Sequence, residues 1–242
     1  MSDVPKPSGY YDHPRPEIAM LITPTDGISV LDIGCGGGGL GSLLRPKGAS
    51  RLVGIELNPV AAERARTIYD EVLVGNIEQL NFPWEPQSFD CIVCADVLEH
   101  LIDPWSLLTR LHSLIKPTGY IVASIPNIRN RGVIAEILMG YFRYRDAGIL
   151  DNTHIRFFTF NSAVHMFHQS GYTITSIGPV YPSDGQEILT SWQKSGMDAK
   201  MTEAIRLLSG VDQPITEDDL MDLLTLQFIL RAEPRQVLQK AS

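Results

Sequence analysis

Cysteine is scarce in this chain, and what there is follows no framework. Cys35, Cys91 and Cys94 are the only three, an odd number, which excludes a disulfide-stapled secreted domain. Cys91 and Cys94 form a C-x-x-C, but within SFDCIVCAD, which reads as a strand. Residues three apart on a strand face opposite sides and cannot easily share a metal, so buried, inert thiols are expected. Long apolar runs are missing too. No stretch approaches the roughly 18 residues that cross a bilayer. The opening MSDVPKPSGYYDHPRP has no apolar core of a signal peptide, so a soluble, cytoplasmic protein without membrane insertion is expected. Positive charge is also short. Twenty Lys and Arg against 28 Asp and Glu leave a net charge of −8, which repels nucleic-acid phosphates. A small molecule or a glycan is the partner such a surface admits. Repeats, low-complexity tracts and a convincing domain linker are absent as well.

What is present is an ordinary globular composition over 242 residues, enough to bury a core without disulfides or metals. Short apolar runs alternate with amphipathic stretches, the signature of βαβ units around a mostly parallel sheet. A first helix is expected near Arg15–Ile22, within an N-terminal helical segment of about 10–25. Strands are expected at Ser29–Ile33, Arg51–Glu56, Glu71–Gly75, Phe89–Cys94, Tyr120–Ser124, Tyr172–Ile177 and Leu224–Ala232. Helices are expected over Gly39–Arg45, Pro59–Tyr69 and Pro104–Ile115, with a turn at Lys116–Gly119. Asn161 is read as capping a helix to Ser170, ended by Gly171. Two segments break the alternation. An insertion of about 125–160, rich in Arg, Tyr, Phe and Gly, is expected to lie over the active-site mouth as a lid. A second, of about 179–222, reads as helical or irregular. The whole is expected to form one domain over 1–242.

The informative motif is Val30-Leu-Asp-Ile-Gly-Cys-Gly-Gly-Gly-Gly-Leu-Gly41. Gly34, Gly36 and Gly39 satisfy G-x-G-x-x-G after a strand and before a helix, where glycine lets the backbone approach a ligand. Asp32 lies inside the strand, two residues before Gly34, where its carboxylate can reach a ligand ammonium or its water shell. Glu56 ends the next strand, where an acid can bind both hydroxyls of a ribose. On the glycine loop alone, a nicotinamide oxidoreductase competes.

VLDIGCGGGGLG followed by VGIELNP resembles the first two motifs of class I S-adenosylmethionine (SAM)-dependent methyltransferases. The resemblance implies a Rossmann-like α/β fold. Its seven-stranded sheet would have order 3-2-1-4-5-7-6, strand 7 antiparallel, helices on both faces and the lid after strand 5. It implies SAM as cofactor and S-adenosylhomocysteine as product. Cofactor contacts are expected from Tyr11, Arg15, Asp32, Gly34, Cys35, Gly36, Glu56, Leu57, Asn76, Ile77, Ala95 and Asp96. Asn76 stands where many relatives carry an acid that reads the adenine. An amide can replace it, and a plain turn asparagine is the competing reading.

The fourth strand runs into Ala95-Asp-Val-Leu-Glu-His-Leu101, similar to a segment of many small-molecule methyltransferases in which Asp96 and Val97 would flank the methionine moiety. Ser124–Asn127, Ala147–Thr159, the opening Gly-Tyr-Tyr and Arg15 together resemble a bacterial subgroup often found beside glycosyltransferases. That likeness covers roughly Tyr10–Tyr172. It suggests a sugar, glycan or glycosylated metabolite as acceptor, and carbohydrate biosynthesis as context. A homodimer, or association with a glycosyltransferase, completes the expected partners.

A protonated sugar hydroxyl is a poor nucleophile, so a general base helps, and imidazole suits neutral pH. Of six histidines, His154 and His100 are expected at the mouth, His154 as first choice of base. Each competes with a structural histidine bonded to backbone. Asp96, Glu99, His100 and His154 also resemble the ligand set of metal-dependent methyltransferases with E-x-x-E-H and a later His. Hydrogen-bonding roles are the preferred reading there, so no metal is expected and activity should survive chelation. Arg129, Arg131, Arg143, Arg145 and Arg156 can bind a phosphate-bearing acceptor or simply face solvent. The expected activity is O-methylation of a small molecule. N-methylation of an amino sugar and a non-catalytic SAM-binding partner protein are the alternatives.

Overall fold

The computed structural model describes residues 13–210, 214 and 216–235. Tyr11 and the Gly-Tyr-Tyr opening lie outside them. The described chain runs α1 (Pro16–Leu21), β1 (Ser29–Ile33), α2 (Gly39–Leu44), β2 (Arg51–Glu56), α3 (Pro59–Ala65), β3 (Glu71–Val74) and β4 (Phe89–Ala95). It continues through α4 (Pro104–His112), β5 (Ile115–Pro126), α5 (Arg131–Leu138), α6 (Phe160–Gln169), β6 (Tyr172–Val180), α7 (Gly185–Ser195), α8 (Met197–Ser209), α9 (Glu217–Leu224) and β7 (Gln227–Pro234). The seven strands form one sheet of order 3-2-1-4-5-7-6, with β7 antiparallel to β5 and β6. That is the expected topology.

Local chemistry sets the helix starts. Asn58 accepts from the amides of Val60 and Ala61, with Pro59 in the first turn of α3. Asp103 does the same for α4 through Ser106 N. Thr159, two residues before the expected cap Asn161, starts α6 in a reciprocal capping box with Ser162. The central strand β1 is buried along its whole length, as a parallel strand covered on both faces must be. Two apolar layers sandwich the sheet. Cys94 belongs to the layer with Phe167 and Tyr172, and Cys91 to the layer with Ile18 and Leu52. The C-x-x-C thus faces two ways, as read from the sequence.

Several boundaries differ; α4, for one, ends at His112 and not at the expected Ile115, which opens β5. Lys116–Gly119 is not a turn but the start of β5, which pairs with β4 from Ile115 onward. Pro117 is tolerated because β7 joins β5 only at Ile121, so its missing N–H deprives no neighbour there. β7 begins at Gln227 rather than Leu224, because Thr225 N still bonds back to Met221 O at the end of α9. α3 stops at Ala65, four residues before the expected end at Tyr69.

The segment between β5 and α6 is clasped to α9. The Asn127 side chain, fully buried, donates to Asp222 O at 2.8 Å and Thr225 O at 3.1 Å, and accepts from Arg129 N at 2.9 Å. Asn130 donates to Thr225 O at 3.1 Å. Both amides add donors to carbonyls at the end of α9, where intrahelical partners run out. Asn127→Ala should therefore cost about 1–3 kcal/mol in urea unfolding, the penalty for stranding buried polar groups. Arg129→Ala, whose ion pairs with Asp219 and Asp222 are partly exposed, should cost less. Equal losses would show that the clasp is electrostatic rather than a matter of helix-end satisfaction.

Candidate functional site

The glycine loop crosses from β1 into α2 at the carboxyl edge of the sheet. Gly34 takes φ +74°, and a Cβ there would meet Val97 Cγ2 at 2.8 Å, so only glycine fits. Glu56, buried at the end of β2, fixes the loop. Its Oε2 accepts from Gly36 N and its Oε1 from Asn58 N, both at 2.8 Å. Each carboxylate oxygen has a second lone pair with which to take a ligand hydroxyl. Asp32 is buried beneath the loop and accepts from the Tyr69 hydroxyl at 2.5 Å. Burial pushes its pKa up to about 7, with the nearby Glu56 carboxylate adding to the rise and Tyr69 opposing it. Burial likewise holds the Cys35 thiol protonated, and Cys35 packs under Gly54.

The other expected cofactor residues ring the same edge. Leu57 is exposed and Ala95 half-buried. Ile77 sits in the apolar core. The Asn76 side-chain oxygen accepts from Glu78 N at 3.0 Å, which gives it a turn-forming role. Arg15 and Asp96 find each other. The Arg15 guanidinium pairs with the Asp96 carboxylate and donates to Ser124 Oγ at 2.9 Å and Gln227 Oε1 at 3.2 Å. Both residues hold positive φ, 53° and 55°, an uncommon conformation outside glycine. The pair thus joins α1's start to the ends of β4, β5 and β7.

Beyond Asp96 opens a cavity of about 490 Å³. Pro126, Val133, Leu150 and Leu226 supply apolar wall, while Asn130, Glu136, Arg145 and Asp151 supply polar groups. The expected lid segment therefore does line it. Glu99 and His154 form its side next to Asp96.

His100 and His154 are brought together, ring centroids 4.7 Å apart and edge to face. His154 Nδ1 lies 3.0 Å from Ile149 O, and His100 Nδ1 lies 3.2 Å from Thr153 O. Donation from each Nδ1–H to its carbonyl leaves Nε2 as the proton-accepting nitrogen. Of the four residues read as one polar group, three converge: Glu99, His100 and His154. Asp96 does not, because Arg15 and the Gln227 amide hold it. The arginines are mostly engaged with protein. Arg131 lies over Trp192 and Arg143 over Tyr141. Arg156 donates to Ile102 O, and Arg129 and Arg145 pair with acids. Only Arg145 faces the cavity, so a phosphate cradle of five arginines is not formed. What the sequence reading missed is Glu136, a further acid on the cavity wall, and the Asn127–Asn130 clasp behind it.

Among the described residues no helix is long and apolar enough to cross a membrane. Residues 11–177 match the protein family described as "Methyltransferase domain". The ubiquinone biosynthesis O-methyltransferase of Acinetobacter baylyi is 30% identical over 118 residues, 46% of this chain and 49% of that protein. Its mitochondrial counterpart in Schizosaccharomyces pombe is 38% identical over 104 residues, 40% of this chain and 38% of that protein. The matches thus span about half or less of these relatives. A crystal structure of a SAM-dependent methyltransferase from Mesorhizobium loti superposes with a TM-score of 0.59 at 18% identity, covering 90% of this chain and 95% of the other. Loop, acid-ended second strand, sheet order and family match agree, and the chain belongs to the family of methyltransferase domains.

Proposed function

We propose that this chain methylates a hydroxyl of a small molecule bound in the cavity beside Asp96, with the His154–His100 pair taking the hydroxyl's proton. The observation that carries the reading is His154, which borders the cavity with its Nδ1 against the Ile149 carbonyl and His100 edge to face beside it. The residues fit SAM: Glu56 suits the ribose hydroxyls, Gly34 and Gly36 leave room for its backbone-side approach, and buried Asp32 is placed to balance a cation. When bound, SAM supplies a methyl on a sulfonium, which leaves as S-adenosylhomocysteine once the acceptor oxygen forms its bond to that carbon. The protein then has to orient the acceptor, exclude water and accept a proton.

The acceptor we infer is a sugar, glycan or glycosylated metabolite. Asn130, Glu136 and Asp151 suit its hydroxyls, and Pro126, Val133 and Leu226 an apolar portion, which favours a glycosylated metabolite. The names of the ubiquinone relatives support transfer to oxygen. N-methylation of an amino sugar is the second reading, favoured by the four acids on the cavity wall: Asp96, Glu99, Glu136 and Asp151. A screen of sugars, nucleotide sugars, glycosides and phenols, read by mass spectrometry for one added methyl, separates these.

Cofactor binding tests the base of the proposal. Titration calorimetry should show SAM binding, and Glu56→Ala should weaken it by about 1–3 kcal/mol through lost charge-assisted hydrogen bonds. Thermal unfolding of the variant guards against mere loop collapse. No SAM binding to the wild-type protein would overturn the reading.

A further inference from the structure

We propose that Arg110, on α4, is a positioning residue for the cofactor: it sets the shape of the loop after β3, residues 75–80, against which the adenine lies. The inference rests on the reading of SAM as cofactor. It goes beyond that reading by naming the segment that reads the base and the side chain that holds it.

The strand order directs the base to this loop. The methyl group has to reach the cavity beside Asp96, just past the end of β4. Glu56, which suits the ribose, ends β2. In a sheet ordered 3-2-1-4, a ligand that runs from β4 to β2 continues toward β3. Val74, the last residue of β3, pairs with Glu56, and neighbouring strands lie about 4.8 Å apart. The loop that follows Val74 is therefore where the far end of the ligand, its base, arrives.

Two side chains share out the backbone of this loop. Asn76 gathers amides: its Oδ1 accepts from Glu78 N at 3.0 Å, and its carbonyl accepts from Gln79 N at 2.9 Å and Leu80 N at 3.0 Å. Arg110 gathers carbonyls. Its guanidinium donates to Ile77 O at 3.2 Å, to Glu78 O at 3.3 Å and to Leu80 O, and lies 4.5 Å over the Phe82 ring. The loop is fastened at the start of α4 as well, where Glu78 Oε1 accepts from Asp103 N at 2.9 Å. A planar fork of N–H donors can serve three carbonyls at once, whereas an ammonium on a flexible stem cannot hold the same arrangement. With the Asn76 oxygen engaged in its own turn, the loop meets the base with N–H donors, which suit the N1 acceptor of adenine.

The test is titration calorimetry on the full chain with S-adenosylhomocysteine and with S-inosylhomocysteine. In the second ligand the N1 acceptor becomes an N1–H donor and the 6-amino group an oxygen. Wild type should prefer the adenosyl ligand by about tenfold or more, the scale on which a mismatched polar pair is rejected. Arg110→Met keeps an apolar stem and removes every N–H donor. It should bind S-adenosylhomocysteine at least about tenfold more weakly and S-inosylhomocysteine nearly as wild type does, so that the preference collapses. Arg110→Lys should fall between the two. Arg66→Ala, at the exposed end of α3, should behave as wild type does. An arginine that only stabilises the fold would lower the unfolding temperature and both affinities together and leave the preference intact. That result, unchanged binding in the folded variants, or no preference in the wild type would overturn the proposal. Should both variants unfold, hydrogen exchange on the wild type decides. S-adenosylhomocysteine should slow exchange of the amides of 76–80, and exchange unaffected there counts against the proposal. Failure of the wild type to bind S-adenosylhomocysteine at all sinks the cofactor reading instead, which keeps the two claims apart.

Discussion

His154→Ala is expected to lower turnover by roughly 10²–10⁴-fold while SAM affinity stays close to wild type. The imidazole borders the acceptor cavity, its Nδ1 faces the Ile149 carbonyl, and its side chain is 6% exposed. The residues expected to hold SAM come from other elements, chiefly the β1 loop and the end of β2. On the proposed reading, loss of His154 strikes the acceptor's proton and not the cofactor. His100→Ala is the necessary comparison, since its ring is 4.7 Å away and less buried. A base role for His154 predicts the larger loss there, with activity falling on acidification because only the neutral ring accepts a proton. A histidine that merely packs would behave differently. Its removal would lower the unfolding temperature and weaken both substrates together, and a stable His154→Ala with near wild-type turnover would remove it from the chemistry.

Which parts of this site were readable in advance depends on how far apart the contacting residues lie. The glycine loop, Asp32 and Glu56 are local to one βαβ unit. Their juxtaposition follows from spacing: Gly36 N meets Glu56 Oε2 across 20 residues. The sheet was readable because apolar runs of the right length fix strands, and a family resemblance supplied their order. The turn at Lys116–Gly119 failed because Pro and Gly look like a turn locally, while pairing of Ile115 with Phe89 decides otherwise. β7 was placed three residues early because an apolar leucine run cannot show where a helix ends and a strand begins.

Long-range polar contacts left no local trace at all. Asn127 and Asn130 read as loop residues, yet they hold α9's last carbonyls some 95 residues away. Asp96 reads as part of an acidic mouth beside Glu99 and His100. Nothing in its neighbours announces that Arg15, 81 residues earlier, claims it. That one ion pair changes what the site can do. It withdraws an oxygen donor from the Glu99–His100–His154 group and ties the start of α1 to the strand ends around which the cavity opens. Burial was the other hidden quantity. Glu99 looks like a solvated acid at the start of a turn, but folding closes the 154–156 backbone over it, and its pKa rises to about 8.

The pH dependence of stability should report on a different buried acid, Asp32. Its pKa in the folded protein is about 7 against an ordinary value of 3.8. The folded state therefore keeps a proton that the unfolded chain releases. This contribution to stability is fully present below about pH 4, and it is lost as pH rises toward 7. At 1.36 kcal/mol per unit, the loss amounts to roughly 4 kcal/mol across that window. Asp32→Asn keeps an oxygen for the Tyr69 hydroxyl and removes the titration. Urea unfolding of the ligand-free proteins from pH 4 to pH 8 should thus show the wild type losing ground steadily to the variant, with the gap level above pH 7. SAM should narrow that gap, since its positive charge near the loop stabilises the ionised carboxylate, and it should protect wild type more strongly at pH 8 than at pH 5. Parallel pH profiles for the two proteins would mean that Asp32 ionises normally in the fold. A gap that SAM leaves unchanged would mean that the carboxylate does not face the cofactor's charge.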